Sequence, residues 1–275
     1  MSGDAASAQA PVSVITPCYR CASVLPRAID SVLAQTMLPA ELILVDDASD
    51  DAGATRAAIE VAQRRVQDRI AVKTRFLKHN GGPGTARNAA WEEAAQPLIA
   101  FLDADDAWHP RKLEIQTQFM QQQPDAALSG HKTFIARDAA SFTVLQETWR
   151  NGRVDGTAML IRNRLPTRSV MLRSAVPLRF AEGKRASEDY LLWLRLVLTG
   201  RQAWFLDLPL ACSFKEHFGA AGLTRSLWRM ELGELDTYRR LRREGLVSAW
   251  TLPVLYGWSF TKFASRIATV ALRAK

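Results

Sequence analysis

The sequence predicts an α/β fold: a mostly parallel, mixed sheet flanked by helices, followed by a helical C-terminal extension. Three observations predict it. Apolar runs at Val12–Ile15, Leu42–Val45 and Leu98–Leu102 read as strands buried on both faces. Between them, apolar residues recur at helical spacing. These strands then run into polar clusters: Thr16–Tyr19, Asp46-Asp47 and Asp103–Asp106. Strands alternating with helices specify right-handed crossovers, which place those three ends on one edge of the sheet. Ligands bind at that edge in open α/β sheets, so the convergence predicts a nucleotide-type site.

Pro11 to Pro17 is the first strand. Cys21 to Gln35 is a helix with Val24, Leu25, Ala28, Ile29, Val32 and Leu33 on its apolar face, and Pro39 follows its end. Glu41 to Asp47 is the second strand and 48–53 a loop. Thr55 caps a helix running to about Asp68, and Ile70 to Leu77 is the third strand. His79 to Gly84 is a loop by composition. Thr85 to Ala95 is the helix that delivers the chain to the strand at Leu98. Pro110 to Gln123 is an amphipathic helix with proline in its first turn. Beyond Pro124, Ala126–Arg137, Phe142–Trp149 and Ser169–Arg173 read as short strands and Val154–Ile161 as a helix. Ser187 caps a helix to Leu198, with Glu188 and Asp189 in its first turn. Trp204–Cys212 is a strand, and from about Ser226 the chain is helical and basic.

With 275 residues, 48% of them hydrophobic, the chain has enough for a large core and is not of disordered composition. A net charge of +8 points to anionic partners. No apolar stretch reaches membrane-spanning length, and no basic segment followed by an apolar run marks a secretory leader. Three cysteines argue against a disulfide framework and suit a reducing cytoplasm. The expected location is therefore the cytoplasm, or the cytoplasmic face of the inner membrane as a peripheral protein. Cys18 and Cys21 read as small residues at a strand-to-helix turn, because no second pair completes a metal site.

Asp103, Asp105 and Asp106 repel one another unless a cation sits among them. A divalent ion carrying phosphates would serve. So would a solvated acidic turn that caps the next helix, and the residues alone leave both open. The loop Gly82–Arg87 lacks the third glycine of a dinucleotide fingerprint, and no Lys-Ser/Thr follows it as in a Walker loop. It offers Arg87 and Asn88 in the first turns of a helix, where phosphate oxygens are welcome.

Taken together, Val14–Tyr19, Ala28–Thr36, Glu41–Ser49, Asn80–Asn88, Phe101–Leu113 and Ser187–Trp193 resemble the family 2 glycosyltransferases, in that family's order, over about residues 11–200. The resemblance implies the Rossmann-like GT-A fold and an inverting hexosyltransferase. It implies a nucleotide-diphosphate sugar donor, UDP-linked, and a glycan or lipid-linked acceptor of bacterial surface polysaccharide in the cell envelope. Pro17 and Tyr19 would line the nucleoside pocket, with the Tyr19 ring against the base. Asp47 would bind the base, and Arg87 would lie near base or phosphates. Asp103-Ala104-Asp105 matches the D-x-D motif for ribose and a divalent metal, Mg²⁺ or Mn²⁺, with Asp105 the first metal ligand and Asp106 beside it. Asp189 matches the base, while Glu188 orients the acceptor or serves the helix dipole. His217 would close on the metal diphosphate from a late loop, and Arg225 would contact the diphosphate. Arg20 and Cys21 depart from the Asn or Gly frequent after the tyrosine.

The expected division is a disordered stretch over 1–10, a catalytic domain over 11–225 and a basic amphipathic extension over 226–275. Within the domain, 11–123 would bind nucleotide and 124–225 acceptor. Lys262 and Arg266 interrupt the apolar Trp250–Leu272, which suits a helix lying in a membrane interface better than one spanning it. Packing on the chain's own domain, or on a second copy as a homodimer, is an equal alternative. No basic-aromatic nucleic-acid motif appears, so nucleic acid is not an expected partner. A nucleotidyltransferase is the nearest rival, but 11–27 lacks its Gly-rich basic loop. A non-catalytic carbohydrate- or membrane-binding protein of the same fold is the other.

Overall fold

The computed structural model describes residues 9–136, 142, 145, 148–214 and 223–273. The first half alternates strands and helices: β1 (Ala10–Cys18), α1 (Leu25–Leu33), β2 (Pro39–Asp46), α2 (Ala54–Val66), β3 (Ala71–Phe76), α3 (Pro83–Glu93) and β4 (Leu98–Phe101). Then follow β5 (Asp106–Trp108), α4 (Lys112–Gln122), β6 (Ala126–Ile135), β7 (Asn151–Arg153), α5 (Gly156–Ile161), a 3-10 turn (Thr167–Ser169), β8 (Met171–Arg173), α6 (Glu188–Leu198) and β9 (Gln202–Ser213). Two long helices, α7 (Leu223–Arg243) and α8 (Thr251–Arg273), end the described chain.

The strands form one sheet in the order β3-β2-β1-β4-β8-β6-β9-β5, with β7 also on β9. The pairs β1–β2, β2–β3, β1–β4 and β6–β9 are parallel, and β8 runs antiparallel between β4 and β6. The fold is GT-A, a mixed sheet with helices on both faces. Alternation along the strands explains why the apolar runs are continuous. Val14, Leu42, Leu44 and Ala100 face one core with α1, α2 and α4. Ile15, Ile43, Val45 and Phe101 face the other, with α3, α6 and α7. In the second core Phe101 packs edge-on to Phe180 (5.5 Å) and against Trp91 (5.8 Å) and Trp193 (5.9 Å).

Three local expectations are corrected. Thr55 does not cap α2: Gly53 holds the cap position at φ +84°, and the Asp51 carboxylate accepts from the Thr55 amide (3.0 Å) and hydroxyl (2.6 Å). Ser187 precedes α6 with φ +55° and makes no side-chain cap bond. Of Phe142–Trp149, residues 143–144 and 146–147 lie outside the described residues, and 142, 145, 148 and 149 are not strand. The strand in that region is β7, just beyond.

A short strand unannounced by periodicity matters more. After β4 the chain turns tightly, the Asp106 amide donating to the Asp103 carbonyl at 3.0 Å. Asp106 then pairs across from Ser213 at the start of β5. That turn separates Asp106 from Asp103 and Asp105. Cys18 and Cys21 are free, buried thiols.

Candidate active site

A cleft of about 440 Å³ opens where β1, β2 and β4 end. Pro17, Tyr19, Asp47, Arg87, Asp103 and Asp105 all line it. Each strand end contributes for its own reason.

At the end of β1, Tyr19 is 44% exposed, with the Arg20 guanidinium 5.4 Å over its ring and its hydroxyl donating to Asp50 at 3.0 Å. Arg20 also grips Asp50, with Nε at 2.5 Å. The Arg20 guanidinium and the Tyr19 hydroxyl hold the Asp50 carboxyl down to about 2. At the end of β2, Asp47 is turned into the glycine-rich loop. Its two oxygens accept the Gly81 amide (2.8 Å) and the Gly82 amide (2.7 Å), and its carbonyl accepts Asn80 Nδ2 (3.0 Å). Burial pushes the Asp47 carboxyl up, against those two amides. The loop needs glycine here: Gly82 sits at φ +87°, and a Cβ on Gly81 would lie 2.6 Å from Thr85.

Arg87, on α3, is 4% exposed. Nη2 donates to Asp103 at 2.6 Å and Nη1 to Glu188 at 2.8 Å. Burial works against its charge, but Asp103 and Glu188 outweigh it and hold the guanidinium protonated. Burial raises the Glu188 carboxyl, opposed by Arg87 and reinforced by Asp189. Arg87 thus joins the end of β4 to the start of α6.

Asp189 is half-buried beside Glu188. It accepts from Thr167 Oγ1 at 2.7 Å and from the Tyr190 amide at 2.7 Å. It is not among the residues lining the cleft, which it approaches through Glu188 and Arg87. Asp106 is the clear departure from the expected metal set. It is 2% exposed, does not line the cleft, and pairs with Arg168 Nε at 2.8 Å. Burial pushes its carboxyl up to about 7, with Asp103 adding and Arg168 opposing. His217 and the side chain of Arg225 lie outside the described residues.

Two cationic residues of the cleft escaped the sequence reading, Arg185 and Arg229. Arg185 Nη2 donates to the Asn80 carbonyl at 2.6 Å, bracing the glycine-rich loop. Arg229 stands one helical turn beyond Arg225 on α7, and that spacing was the available signal.

Among the described residues no group of three His, Cys, Asp or Glu is placed to hold a metal ion. Asp103 and Asp105 face the cleft together. Two carboxylates are too few for an all-protein cage, but they fit Mg²⁺ or Mn²⁺ that takes its other oxygens from a diphosphate and water.

A mixed α/β sheet of GT-A type with such a cleft at its carboxyl edge has the place where folds of this kind take a nucleotide. The chain belongs to glycosyl transferase family 2, whose model matches residues 13–176, and it is a glycosyltransferase. TuaG of Bacillus subtilis, provisionally named a teichuronic acid biosynthesis glycosyltransferase, is 26% identical over 92% of this chain and 94% of its own. WfaP of Escherichia coli is 28% identical over 70% of this chain and 72% of its own; its name describes a UDP-Glc:α-D-GlcNAc-diphosphoundecaprenol β-1,3-glucosyltransferase. Among solved structures, Staphylococcus aureus TarS 1–349 with UDP-GlcNAc matches with a TM-score of 0.62 at 20% identity, over 82% of this chain and 66% of that one. The match spans only 39% of the longer TarS chain. The mannosyltransferase PcManGT of Pyrobaculum calidifontis, with GDP-Man and Mn²⁺, matches with a TM-score of 0.65 at 16% identity, over 97% of this chain and 76% of that one.

Proposed function

We propose that this glycosyltransferase moves a sugar from a UDP-linked donor, with inversion, to a hydroxyl of a glycan or lipid-linked acceptor in bacterial surface polysaccharide biosynthesis. The observation that carries the proposal is one cleft holding Tyr19, Asp103, Asp105, Arg185 and Arg229, tied through Arg87 to the helix start that bears Asp189. The named substrates of WfaP and the ligand bound to TarS support the donor and acceptor classes. Membership of this family sets the nucleotidyltransferase alternative aside.

In this proposal Pro17 and Tyr19 flank the base, and Asp47 meets it while anchoring the loop. Arg185 and Arg229 face the diphosphate. Asp105 with Asp103 would hold the divalent ion, which supplies charge neutralisation to the leaving diphosphate. Asp189 takes the proton of the acceptor hydroxyl. That oxygen bonds to the anomeric carbon as the bond from carbon to the phosphate oxygen breaks. The nucleoside diphosphate leaves, and a single displacement inverts the centre.

In the same proposal the C-terminal helices would offer a surface to a lipid-linked acceptor. No helix among the described residues is long and apolar enough to cross a membrane. α8 buries Leu255, Ser259 and Phe263 against its own chain, and its Trp258 Nε1 donates to the Ile161 carbonyl at 2.9 Å. Its other side leaves Val254 at 66% and Phe260 at 47% exposed, with Trp250 at 89% just ahead of the helix. Arg239, Arg242 and Arg243 on α7 are exposed as well. Aromatic and basic groups together suit an anionic lipid surface. The test of the function is a melting-temperature screen of UDP-glucose and UDP-GlcNAc with Mn²⁺, followed by UDP release. Stabilisation and release by one donor support the proposal; neither, with either donor, sinks it.

A further inference from the structure

Arg87 ties the acidic end of β4 to the start of α6. A second tie runs through the 3-10 turn Thr167–Ser169. Thr167 is 7% exposed, and its hydroxyl donates to Asp189 Oδ2 at 2.7 Å. The next residue, Arg168, pairs with Asp106 at 2.8 Å. The turn is fixed from the other side as well. Trp108 Nε1, on β5, donates to the Arg168 carbonyl at 2.9 Å, and Gln116 Nε2, on α4, donates to the Ser169 carbonyl at 2.9 Å. Ser169 closes the turn on itself, its amide (2.8 Å) and hydroxyl (2.7 Å) both donating to the Pro166 carbonyl. Asp106, Trp108 and Gln116 all belong to the segment that follows the D-x-D pair. Consecutive side chains of one short turn therefore hold Asp189 on one side and that segment on the other.

We infer that this turn is a strut that sets the distance between Asp189 and the D-x-D edge, and that Thr167 is a positioning residue for the transfer reaction. The inference rests on the proposed role of Asp189 as base. A half-buried carboxylate on the first turn of a helix has several rotamers open to it. The Thr167 hydroxyl selects one, and the strut fixes where that hydroxyl stands. Arg168 serves the same end by pairing with Asp106, which ties the turn after β4 to the strut. This gives Asp106 a function as an anchor of the strut.

Positioning predicts a selective loss. T167V removes the hydroxyl and keeps the volume. It lowers kcat for UDP release from UDP-glucose or UDP-GlcNAc by about ten- to a hundredfold, as misplaced groups do. The donor KM stays near wild type, because Thr167 does not line the donor cleft. T167S restores the hydroxyl and the rate. In a D189N background T167V costs nothing further, since the group it positions is already gone. Crystal structures of T167V and T167S give a reading that needs no substrate. Asp189 keeps its rotamer in T167S and turns away in T167V. An unchanged Asp189 carboxylate in T167V, or a T167V loss that persists undiminished in D189N, overturns the inference. The failure of the base proposal itself has a different signature, a D189N enzyme with the wild-type rate.

Discussion

Arg87 Nη1 and Glu188 Oε1 lie 2.8 Å apart although 101 residues separate them in the chain. The same guanidinium reaches Asp103 at 2.6 Å. One buried cation therefore sets the spacing between the sheet edge at the cleft and the helix that carries Asp189. The fork geometry of arginine suits two carboxylates in a way that an ammonium does not.

Replacing Arg87 by methionine leaves two carboxylates without their shared cation. Such a change costs about 3–5 kcal/mol. R87K retains charge but cannot span both partners, and falls between. Urea denaturation of the three proteins checks the order: wild type, R87K, R87M. Equal midpoints for wild type and R87M would mean that the bridge contributes nothing.

Asp106 gives the stability a pH dependence. Its folded carboxyl titrates near 7 because burial disfavours the charge. An unfolded aspartate titrates near ~3.9. The folded state thus holds the proton more tightly, and stability falls as pH rises between those values, by about 4 kcal/mol across the window. D106N removes this term and flattens the profile. Urea midpoints between pH 4.5 and 7.5 for both proteins measure it. A slope unchanged in D106N refutes the assignment.

The glycine-rich loop should be sensitive in binding rather than in folding. A G81A substitution drives a Cβ to 2.6 Å from the Thr85 side chain. D47A removes the acceptor of the Gly81 and Gly82 amides. Both are expected to weaken UDP binding at least about tenfold, the equivalent of ~1.4 kcal/mol. Isothermal titration with UDP and Mn²⁺ reads this directly.

In the second core, F101A opens a cavity among Trp91, Phe180 and Trp193. The expected loss is about 3–5 kcal/mol. By contrast, W250E and V254E together should leave the melting temperature unchanged, since both side chains are exposed. They should abolish sedimentation with phosphatidylglycerol vesicles at low salt. Retained sedimentation would place the lipid contact elsewhere.

Much of the fold was readable because the strands announce themselves. Leu42–Val45 is apolar at every position, since β2 is buried on both faces. The convergence of Tyr19, Asp47, Asp103 and Asp105 on one cleft followed from parallel topology alone. What stayed hidden was governed by contacts across long stretches of chain. β5 is only three residues long and exists because β9 returns to pair with it. Nothing in Asp103-Ala104-Asp105-Asp106 says that the last carboxylate turns away toward Arg168. Nor does the sequence show that Thr167 meets Asp189, because the turn between them has no periodicity to read.

As the proposed base, Asp189 accepts the proton in a sugar transfer fed from the described cleft. The most direct measurement is UDP release from the donor that stabilises the protein, in wild type and D189N, with UDP affinity measured alongside. Asp189 acting as base predicts equal UDP affinity and a loss of about 10²–10⁴-fold in rate for D189N. A D189N enzyme that releases UDP at the wild-type rate contradicts it.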